Sequence, residues 1–319
     1  MSGYLETLNE AQRAAATHGD GPLLIIAGAG TGKTTTLACR VAHLLDQGVP
    51  AERILLLTFT RRAAAEMIRR ASDLTGRSHA AKVWGGTFHA VANRLLRIYH
   101  RAVGLAPEFT VCDQADAGDM MNMLRTAAGV AKENRRFPRK GTLVSIYSRC
   151  VSAEEKLADV LQRQFPWCEE DIDGIRTIFA QYTERKRALN VLDYDDLLLF
   201  WRQLATDSEA ADSVRNRFAY ILVDEYQDTN RVQCDILRAM RHSRSDIGVV
   251  GDDAQAIYSF RAATVRNILD FPTHFAGAAV IKLEQNYRSI QPILLASNAV
   301  MAQAQERYTK DLWSERNAE

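Results

Sequence analysis

The sequence predicts an α/β fold in which a parallel sheet carries helices on both faces and a mostly helical segment interrupts the sheet. Three observations predict this fold. Short apolar runs alternate with helix-forming runs up to about residue 90, which is the rhythm of parallel strands joined by helices. Strand-like runs are then missing as far as about residue 212 and resume after it. Two short sequences, residues 27–34 and 224–228, each follow an apolar strand. Their residue types can act together only if the two strands belong to one sheet.

The first elements follow from composition and periodicity. Residues 8–12 begin a helix, and the apolar run 23–26 is a buried strand followed by a helix over 34–45. Residues 54–59 form a second apolar strand. The next run, 61–74, is rich in Ala, Arg, Glu and Met, which are strong helix formers. Together these elements predict the start of a parallel sheet.

Helices alone are expected in the middle of the chain. One covers 116–128, and a second begins at Ser152, because residues 152–155 have the spacing of a capping box, and runs to about Phe165. A third covers 169–189. Asp193 caps a fourth helix, which carries apolar residues at helical spacing, namely Leu197, Trp201 and Leu204. Strands then resume, at 220–223, 247–251 and 280–283.

Composition excludes several classes of protein. The apolar content of 47% and the charged content of 25% are ordinary for a soluble globular chain, and no run approaches the length of a membrane span. The N-terminal residues lack a signal-peptide pattern. The five cysteines are far apart and form no Cys-x-x-Cys pair. Neither a zinc nor an iron–sulfur site is therefore expected, and the thiols indicate a reducing cytoplasm.

The formal net charge is only +1. A nucleic acid would therefore bind through a local basic face rather than through the charge of the whole chain. Residues 132–140 (KENRRFPRK) are one candidate for such a face. A solvated loop explains the same residues at least as well, since runs of charge are commonly just solvated.

Residues 27–34 (AGAGTGKT) have the sequence of a phosphate-binding loop between a strand and a helix. Small residues let backbone N–H groups approach phosphate oxygens, and the positive end of the helix adds to their field. Lys33 is expected to reach the β- and γ-phosphates, and the Thr34 hydroxyl to bind Mg²⁺. Ala27 departs from the strict pattern, which has glycine there. The candidate nucleotide-binding residues are Ala27, Gly28, Ala29, Gly30, Thr31, Gly32, Lys33 and Thr34.

Two carboxylates at the end of the strand 220–223 complete a predicted triphosphate hydrolysis site. Asp224 is suited to the second metal-binding position, and Glu225 to the general base that activates the attacking water. Gln227 and Asp228 are expected at the mouth of the same cleft. Hydrogen bonding within a turn is an equally good explanation of these last two residues.

Six sequences in order along the chain resemble the motifs of the UvrD/Rep family of superfamily 1 DNA helicases. They extend from residue 8 to residue 289, which is nearly the whole chain. Residues 8–12 resemble the family's Q motif, in which a glutamine reads the adenine edge. The other five resemble motifs Ia, Ib, II, III and IV, and are 58–67 (TFTRRAAAEM), 86–89 (GTFH), 224–230 (DEYQDTN), 250–261 (VGDDAQAIYSFR) and 283–289 (LEQNYRS).

The resemblance implies a RecA-like P-loop NTPase core that uses ATP and Mg²⁺. Gln12 would contact adenine and Tyr287 would stack on it. Arg288 would reach the γ-phosphate as an arginine finger. Gln255 would sense the γ-phosphate and couple it to bound DNA, so that the predicted catalytic residues are Lys33, Glu225, Gln255 and Arg288. A surface aromatic–cation pair is the alternative explanation of Tyr287 and Arg288.

The resemblance also implies contacts with single-stranded DNA and with junctions between single and double strands. Aromatic side chains would stack on bases whatever their sequence, and are Phe59, Tyr258 and Phe260. Polar and basic side chains would contact the DNA backbone, and are Thr60, Arg61, Thr87, His89 and Arg261. Core packing remains an alternative for Phe59, and a structural, hydrogen-bonded role for His89.

The chain departs from the family pattern at three places. Many relatives carry arginine where this chain has Thr35, a candidate nucleotide contact, so adenine would be held on one face only and base selectivity would be looser. Arg61 and Arg62 replace the usual Asn-Lys and keep the positive charge. Ala262 and Ala263 replace Gly-Ala, which is expected to matter little.

The resemblance predicts a cytoplasmic, nucleoid-associated bacterial-type enzyme that hydrolyses ATP to move 3′→5′ along single-stranded DNA and to unwind duplex DNA in repair or replication. A motor for a helicase–nuclease and a non-catalytic DNA-binding regulator are the alternatives, and RNA is not excluded as a substrate. The predicted domains are a first core over 1–90 and 213–282, a helical insertion over 91–212, and the start of a second core over 283–319. Motifs V and VI find no match, so we expect an N-terminal fragment that binds nucleotide weakly and does not unwind DNA alone.

Overall fold

The computed structural model describes residues 3–76, 78–130, 137–242, 245–256 and 265–316. Its strands are β1 (Leu23–Ala27), β2 (Ile54–Thr58), β3 (Trp84–Thr87), β4 (Thr110–Val111), β5 (Val191–Leu192), β6 (Tyr220–Val223), β7 (Asp246–Gly251) and β8 (Ala279–Leu283). Its helices are α1 (Glu10–Ala16), α2 (Lys33–Asp46), α3 (Arg61–Thr75), α4 (Phe88–Tyr99), α5 (Gln114–Ala127), α6 (Lys140–Ala153), α7 (Leu157–Gln164), α8 (Ile172–Leu189), α9 (Tyr194–Thr206), α10 (Ala211–Arg215), α11 (Arg231–Met240), α12 (Arg266–Leu269), α13 (Phe271–His274) and α14 (Gln291–Met301). None of these helices is both long and apolar enough to cross a membrane.

The backbone contacts divide into two compact units. The first unit comprises the described residues of 3–91, 212–229 and 237–316. The second unit comprises those of 92–211 and 230–236. The domain boundaries expected from the sequence remain a prediction, and residues 284–316 are grouped here with the first unit.

The first unit is built on a parallel sheet. Among the described residues it has six strands in the order β3-β2-β6-β7-β1-β8. β1, β2, β6 and β7 are apolar and almost entirely buried, as expected for strands covered on both faces by helices. The predicted α/β fold class is confirmed, and so are the strands expected near residues 23, 54, 220, 247 and 280.

The core of the first unit lies between α1, α2, α3 and one face of the sheet. Ile25, Leu56 and Leu222 contribute from the strands, and Leu37 and Val41 from α2. Each of these side chains is fully buried. Burial of a large apolar side chain contributes about 1.5–3 kcal/mol, so this core fixes the positions of the loops that follow each strand.

The second unit is mostly helical, with its own core around Met121, Ile146, Ile178 and Tyr182. One prediction for it was wrong in detail, because β4 and β5 pair in parallel as a two-residue ladder. Such short strands carry too few residues to show a periodicity.

The helix predicted to start at Ser152 was also wrong. Ser152 lies at the end of α6, and Glu154 ends that helix in a left-handed conformation with φ of 55°. The next helix, α7, begins after Lys156 without a side-chain cap. The Ser152 hydroxyl instead donates to the Asp195 carboxylate at 3.4 Å, so Ser152 makes a tertiary contact rather than capping a helix.

The predicted cap at Asp193 is confirmed and belongs to a buried charged network. Asp193 accepts a hydrogen bond from the Asp196 N–H, which caps α9. The Lys186 ammonium contacts the Asp193 and Asp196 carboxylates at 2.6 Å each, and the Tyr182 hydroxyl donates to Asp193. This network joins the end of α8 to the start of α9.

Candidate functional site

The strand order divides the carboxyl edge of the main sheet into two parts. β6, β7, β1 and β8 adjoin one another in this order. They lead into the segments 224–227, 252–255, 28–34 and 285–288, which contain most of the residues expected to act on the nucleotide. At the other end of the sheet, β2 and β3 lead into five of the residues expected to contact DNA, which are Phe59, Thr60, Arg61, Thr87 and His89. Because all these strands are parallel, both groups lie along one edge.

The loop between β1 and α2 has the backbone of a phosphate cradle. Gly30 and Gly32 have φ of 82° and 86°, a left-handed conformation that only glycine adopts readily. Gly32 is the N-cap of α2 and provides no side chain to the helix N-terminus. The first N–H groups of α2 therefore remain available to an anion. The Thr31 hydroxyl closes the loop by donating to the Gly28 carbonyl at 2.8 Å.

Residues after β8 support this loop from the side. The Asn286 side chain donates to the Ala29 carbonyl at 2.6 Å, and the Tyr287 N–H donates to the Gly30 carbonyl at 2.9 Å. A Cβ on Gly30 would lie only 2.6 Å from the Cβ of Arg288. Close approach of two backbones, as well as positive φ, therefore requires glycine at position 30.

Lys33 and Glu225 meet although they come from the loops after β1 and β6, with β7 between those strands. The Lys33 ammonium lies 3.4 Å from the Glu225 carboxylate, and their side chains are 10% and 34% exposed. The Gln227 amide donates to the same carboxylate at 2.9 Å. Glu225 has φ of 49°, and such strain in a residue other than glycine is concentrated at functional sites.

Asp224 is the buried member of the acidic pair. It is 5% exposed, and its Oδ1 has no hydrogen-bond partner among the described residues. Burial, followed by the charge of Glu225, raises the pKa of Asp224 to about 7, against the lowering effect of Lys33. A buried oxygen without a partner is suited to a hard cation. The Asp224 carboxylate and the Thr34 hydroxyl therefore fit the oxygen ligands that Mg²⁺ needs.

Gln12, expected to contact adenine, lies beside the phosphate loop. Its amide donates to the Thr31 carbonyl at 2.9 Å and accepts from the Asn9 N–H at 3.1 Å. Gln12 thus caps α1 and holds the phosphate loop. Asn9 donates to the Tyr287 hydroxyl at 2.9 Å, and the Tyr287 side chain is 46% exposed. Thr35 is exposed on the first turn of α2.

Gln255 and Arg288 are brought to the same edge. Gln255 lies in the short turn after β7 and donates from its amide to Asp252 Oδ2 at 2.5 Å. The Gln227 side-chain oxygen, Oε1, accepts from the Asp252 N–H at 3.0 Å. Gln227 therefore joins Glu225 to the turn that carries Gln255. The Arg288 side chain is exposed.

Five of the residues expected to contact DNA lie at or just after the ends of β2 and β3. The Phe59 ring is half-buried and lies 6.4 Å from the Phe88 ring. Thr60 caps α3 by accepting from the Ala63 N–H, and Arg61 is exposed. The Thr87 hydroxyl accepts from the Ala90 N–H at 3.2 Å.

His89 lies on the first turn of α4 and is half-buried. Burial lowers its pKa to about 4. Burial therefore favours the neutral form of the His89 imidazole. Tyr258, Phe260 and Arg261 lie outside the described residues, as does most of the basic run 132–140.

Sequence reasoning missed two supporting residues, Asn9, which contacts Tyr287, and Asn286, which contacts the phosphate loop. Asn9 was signalled by its spacing from Gln12, which is that of a capping box. Asn286 had no local signal, because its contact with Ala29 spans 257 positions. The five cysteines are free thiols.

The chain is similar to known helicases along almost its full length. Residues 8–276 match the family described as UvrD/REP helicase N-terminal domain. ATP-dependent DNA helicase UvrD1 of Mycobacterium leprae (strain TN) is 37% identical over 330 residues, which cover 98% of this chain and 41% of the relative.

Two further relatives are equally similar. The probable DNA helicase II homolog of Rickettsia conorii (strain ATCC VR-613 / Malish 7) is 37% identical over 98% of this chain and 47% of its own length. ATP-dependent DNA helicase PcrA of Leuconostoc citreum is 37% identical over 97% of this chain and 41% of its own length. The chain thus spans less than half the length of these relatives. On the match over residues 8–276, the chain belongs to the UvrD/REP helicase N-terminal domain family.

Proposed function

We propose that this chain is the ATP-binding part of a DNA helicase, and that its first unit binds and hydrolyses ATP. The observation that carries the proposal is the meeting of Lys33 with Glu225 beside the unpartnered Asp224 Oδ1. A phosphate loop alone would support binding only. The added carboxylates supply what hydrolysis requires, which is a metal ligand and a base.

In the proposed reaction, Lys33 leaves Glu225 and donates to the β- and γ-phosphate oxygens. The N–H groups of the loop and of the first turn of α2 bind the same phosphates. Glu225, released from Lys33, accepts a proton from the attacking water. Thr34 and Asp224 would hold Mg²⁺, which when bound supplies positive charge to the phosphate oxygens.

Nucleobase binding is assigned to Tyr287, whose backbone and hydroxyl both make hydrogen bonds. Its N–H is bonded to Gly30 and its hydroxyl to Asn9 and Gln285. An exposed ring fixed in this way suits stacking on a base. Thr35 offers no opposing charged plane, so base selectivity rests on one face. Arg288, on the same segment, is assigned to the γ-phosphate.

Single-stranded DNA is assigned to the edge beside β2 and β3, with Phe59 as a stacking surface and Thr60, Arg61, Thr87 and His89 as backbone contacts. The relatives named DNA helicases support DNA as the substrate. The finer proposal is 3′→5′ movement on single strands, binding to junctions between single and double strands, and unwinding in repair or replication near the nucleoid.

The test is the ATPase rate of the chain with and without single-stranded DNA, together with nucleotide binding. Lys33→Ala is expected to lower both ATP affinity and hydrolysis by at least about tenfold, since a charge-assisted phosphate contact contributes about 1.5–3 kcal/mol. Lys82→Ala is the matched control, because Lys82 is an exposed lysine of the same unit that pairs with Glu52. Hydrolysis that survives in Lys33→Ala would contradict the proposal. DNA binding without any ATP binding would favour a non-catalytic regulator.

A further inference from the structure

A lysine far along the chain is buried between two carboxylates of the turn after β7. The Lys310 ammonium contacts Asp252 Oδ1 and Asp253 Oδ1. The Lys310 side chain is 6% exposed, and those of Asp252 and Asp253 are 3% and 1% exposed. Two adjacent buried carboxylates repel each other, and a cation between them removes that repulsion.

The contacts of Asp252 link this lysine to Gln255. Asp252 Oδ1 contacts Lys310 and accepts from the Ala254 N–H, while its Oδ2 accepts from the Gln255 amide. The two oxygens of one carboxylate therefore have different partners. The orientation of the Asp252 carboxylate that allows its contact with Lys310 also places Oδ2 where it accepts from the Gln255 amide.

The position of Lys310 is set by its own segment, Tyr308–Trp313, which we name the strap. The Tyr308 N–H donates to Asp253 Oδ2 at 2.9 Å, and the Trp313 N–H donates to the Glu284 carbonyl at 3.0 Å. Between them, Leu312 exchanges hydrogen bonds with the Asn298 side chain.

The strap also contacts the phosphate loop. A Cβ on Gly28 would lie 2.7 Å from Leu312 Cδ2, so the Leu312 side chain occupies the space that glycine leaves. One short segment thus contacts both the loop after β1 and the turn after β7.

We propose that Lys310 is a positioning residue that holds Gln255 through Asp252, so that the strap ties the phosphate loop to the turn after β7. This inference rests on the proposed function only where it concerns phosphate sensing by Gln255. The placement of the Gln255 amide by Lys310 is independent of any reaction and can be tested separately.

The first test follows the Gln255 side-chain amide by NMR in the ¹⁵N-labelled chain, with the signal assigned by its absence in Gln255→Ala. Lys310→Met is expected to raise its hydrogen-exchange rate by about tenfold or more, because its acceptor is no longer fixed. Lys282→Met is the matched control. Lys282 contacts the strap at the Thr309 carbonyl and touches neither carboxylate, so the amide should keep its wild-type exchange rate.

A second variant guards against loss of folding. Lys310→Gln keeps a donor that can reach one carboxylate and removes the charge. An unchanged Gln255 amide in folded Lys310→Met would overturn the proposal, and so would an unchanged amide in folded Lys310→Gln if Lys310→Met does not fold. Global unfolding of both variants would also overturn it, since Lys310 would then support the whole unit rather than Gln255.

The second test is a double-mutant cycle on the ATPase. Lys310→Met is expected to lower kcat by about tenfold with KM changed less than about twofold, and to have no further effect in Gln255→Ala. Additive effects would show a general structural role for Lys310. If the wild-type chain does not hydrolyse ATP, the proposed function fails, while the NMR test still decides whether Lys310 positions Gln255.

Discussion

Lys33 and Glu225 neutralise each other across the candidate site, and each has a different task when nucleotide is present. A phosphate is a stronger attraction for the Lys33 ammonium than one half-exposed carboxylate at 3.4 Å. Binding would therefore transfer the lysine from Glu225 to the ligand. The pair holds both side chains close to their proposed positions while no ligand is bound, so that little rearrangement is needed.

Asp224→Asn tests the metal assignment at the scale of one residue. The substitution removes the charge of the unpartnered carboxylate. The gain in nucleotide affinity that Mg²⁺ produces is therefore expected to be smaller in the variant than in the wild type by about tenfold or more. The measurement is the thermal shift produced by ATP with Mg²⁺ and by ATP with EDTA. Asp73→Asn, which changes an exposed acid of α3, is the control. A variant that keeps the wild-type difference between the two conditions would exclude Asp224 as a metal ligand.

At the scale of elements, the start of α9 concentrates acidic side chains. Asp193 and Asp196 share the Lys186 ammonium, whereas Asp195 accepts from the Ser148 hydroxyl at 3.0 Å. Burial, with the charge of Asp193, raises the pKa of Asp195 to about 7, while Ser148 and Lys186 act to lower it. The helix thus begins with a carboxyl group that is unfavourable to ionise in the folded state.

The stability of the second unit is therefore expected to depend on pH. A raised folded pKa means that the stabilisation is complete below the unfolded pKa of Asp, near 3.8, and is lost as pH rises towards 7. Asp195→Asn keeps the oxygen that accepts from Ser148 and cannot ionise. Between pH 5 and pH 8 the wild type should lose about 1–3 kcal/mol more unfolding free energy than this variant.

Denaturant unfolding at several pH values measures that difference. Asp173→Asn, which changes an exposed acid of α8, is the matched control. Parallel pH profiles for the wild type and Asp195→Asn would contradict the expectation.

At the scale of the whole molecule, the sheet was predictable and the long-range contacts were not. β1, β2, β6 and β7 are buried on both faces, so each appears in the sequence as a continuous apolar run. The wrong prediction of a helix starting at Ser152 shows the limit of a local pattern, because Ser152 contacts Asp195 and does not cap a helix. The partners of Lys310 lie 57 and 58 positions away, and nothing in the sequence near Lys310 indicates them.

In the candidate site, too, some residues could be predicted from the sequence and others could not. Lys33, Thr34, Asp224 and Glu225 could be predicted, because each belongs to a short motif beside a strand. The support given by Asn286 to the loop could not be predicted, since it depends on the position of β8 beside β1. Local chemistry thus indicated the reacting groups, whereas tertiary packing determines how they are held.

Nucleotide is expected to stabilise the two units unequally. All residues assigned to ATP lie in the first unit, so binding stabilises that unit directly by mass action. Calorimetry with increasing ATP and Mg²⁺ should raise the unfolding transition of the first unit by several degrees. The transition of the second unit, marked by the pH dependence of Asp195, should move less. Lys33→Ala should reduce the shift, and equal shifts of both transitions would contradict the assignment.

The position of β1 in the sheet has a consequence for biosynthesis. β1 pairs only with β7 and β8 among the described strands, which begin at Asp246 and Ala279. Because the ribosome synthesises the N-terminal residues first, β1 and its glycine-rich loop remain without these strand partners until β7 and β8 have been synthesised. The loop can gain its contacts with Asn286 and Leu312 only after those residues have been synthesised. A phosphate loop with all its supporting contacts therefore cannot form early in synthesis.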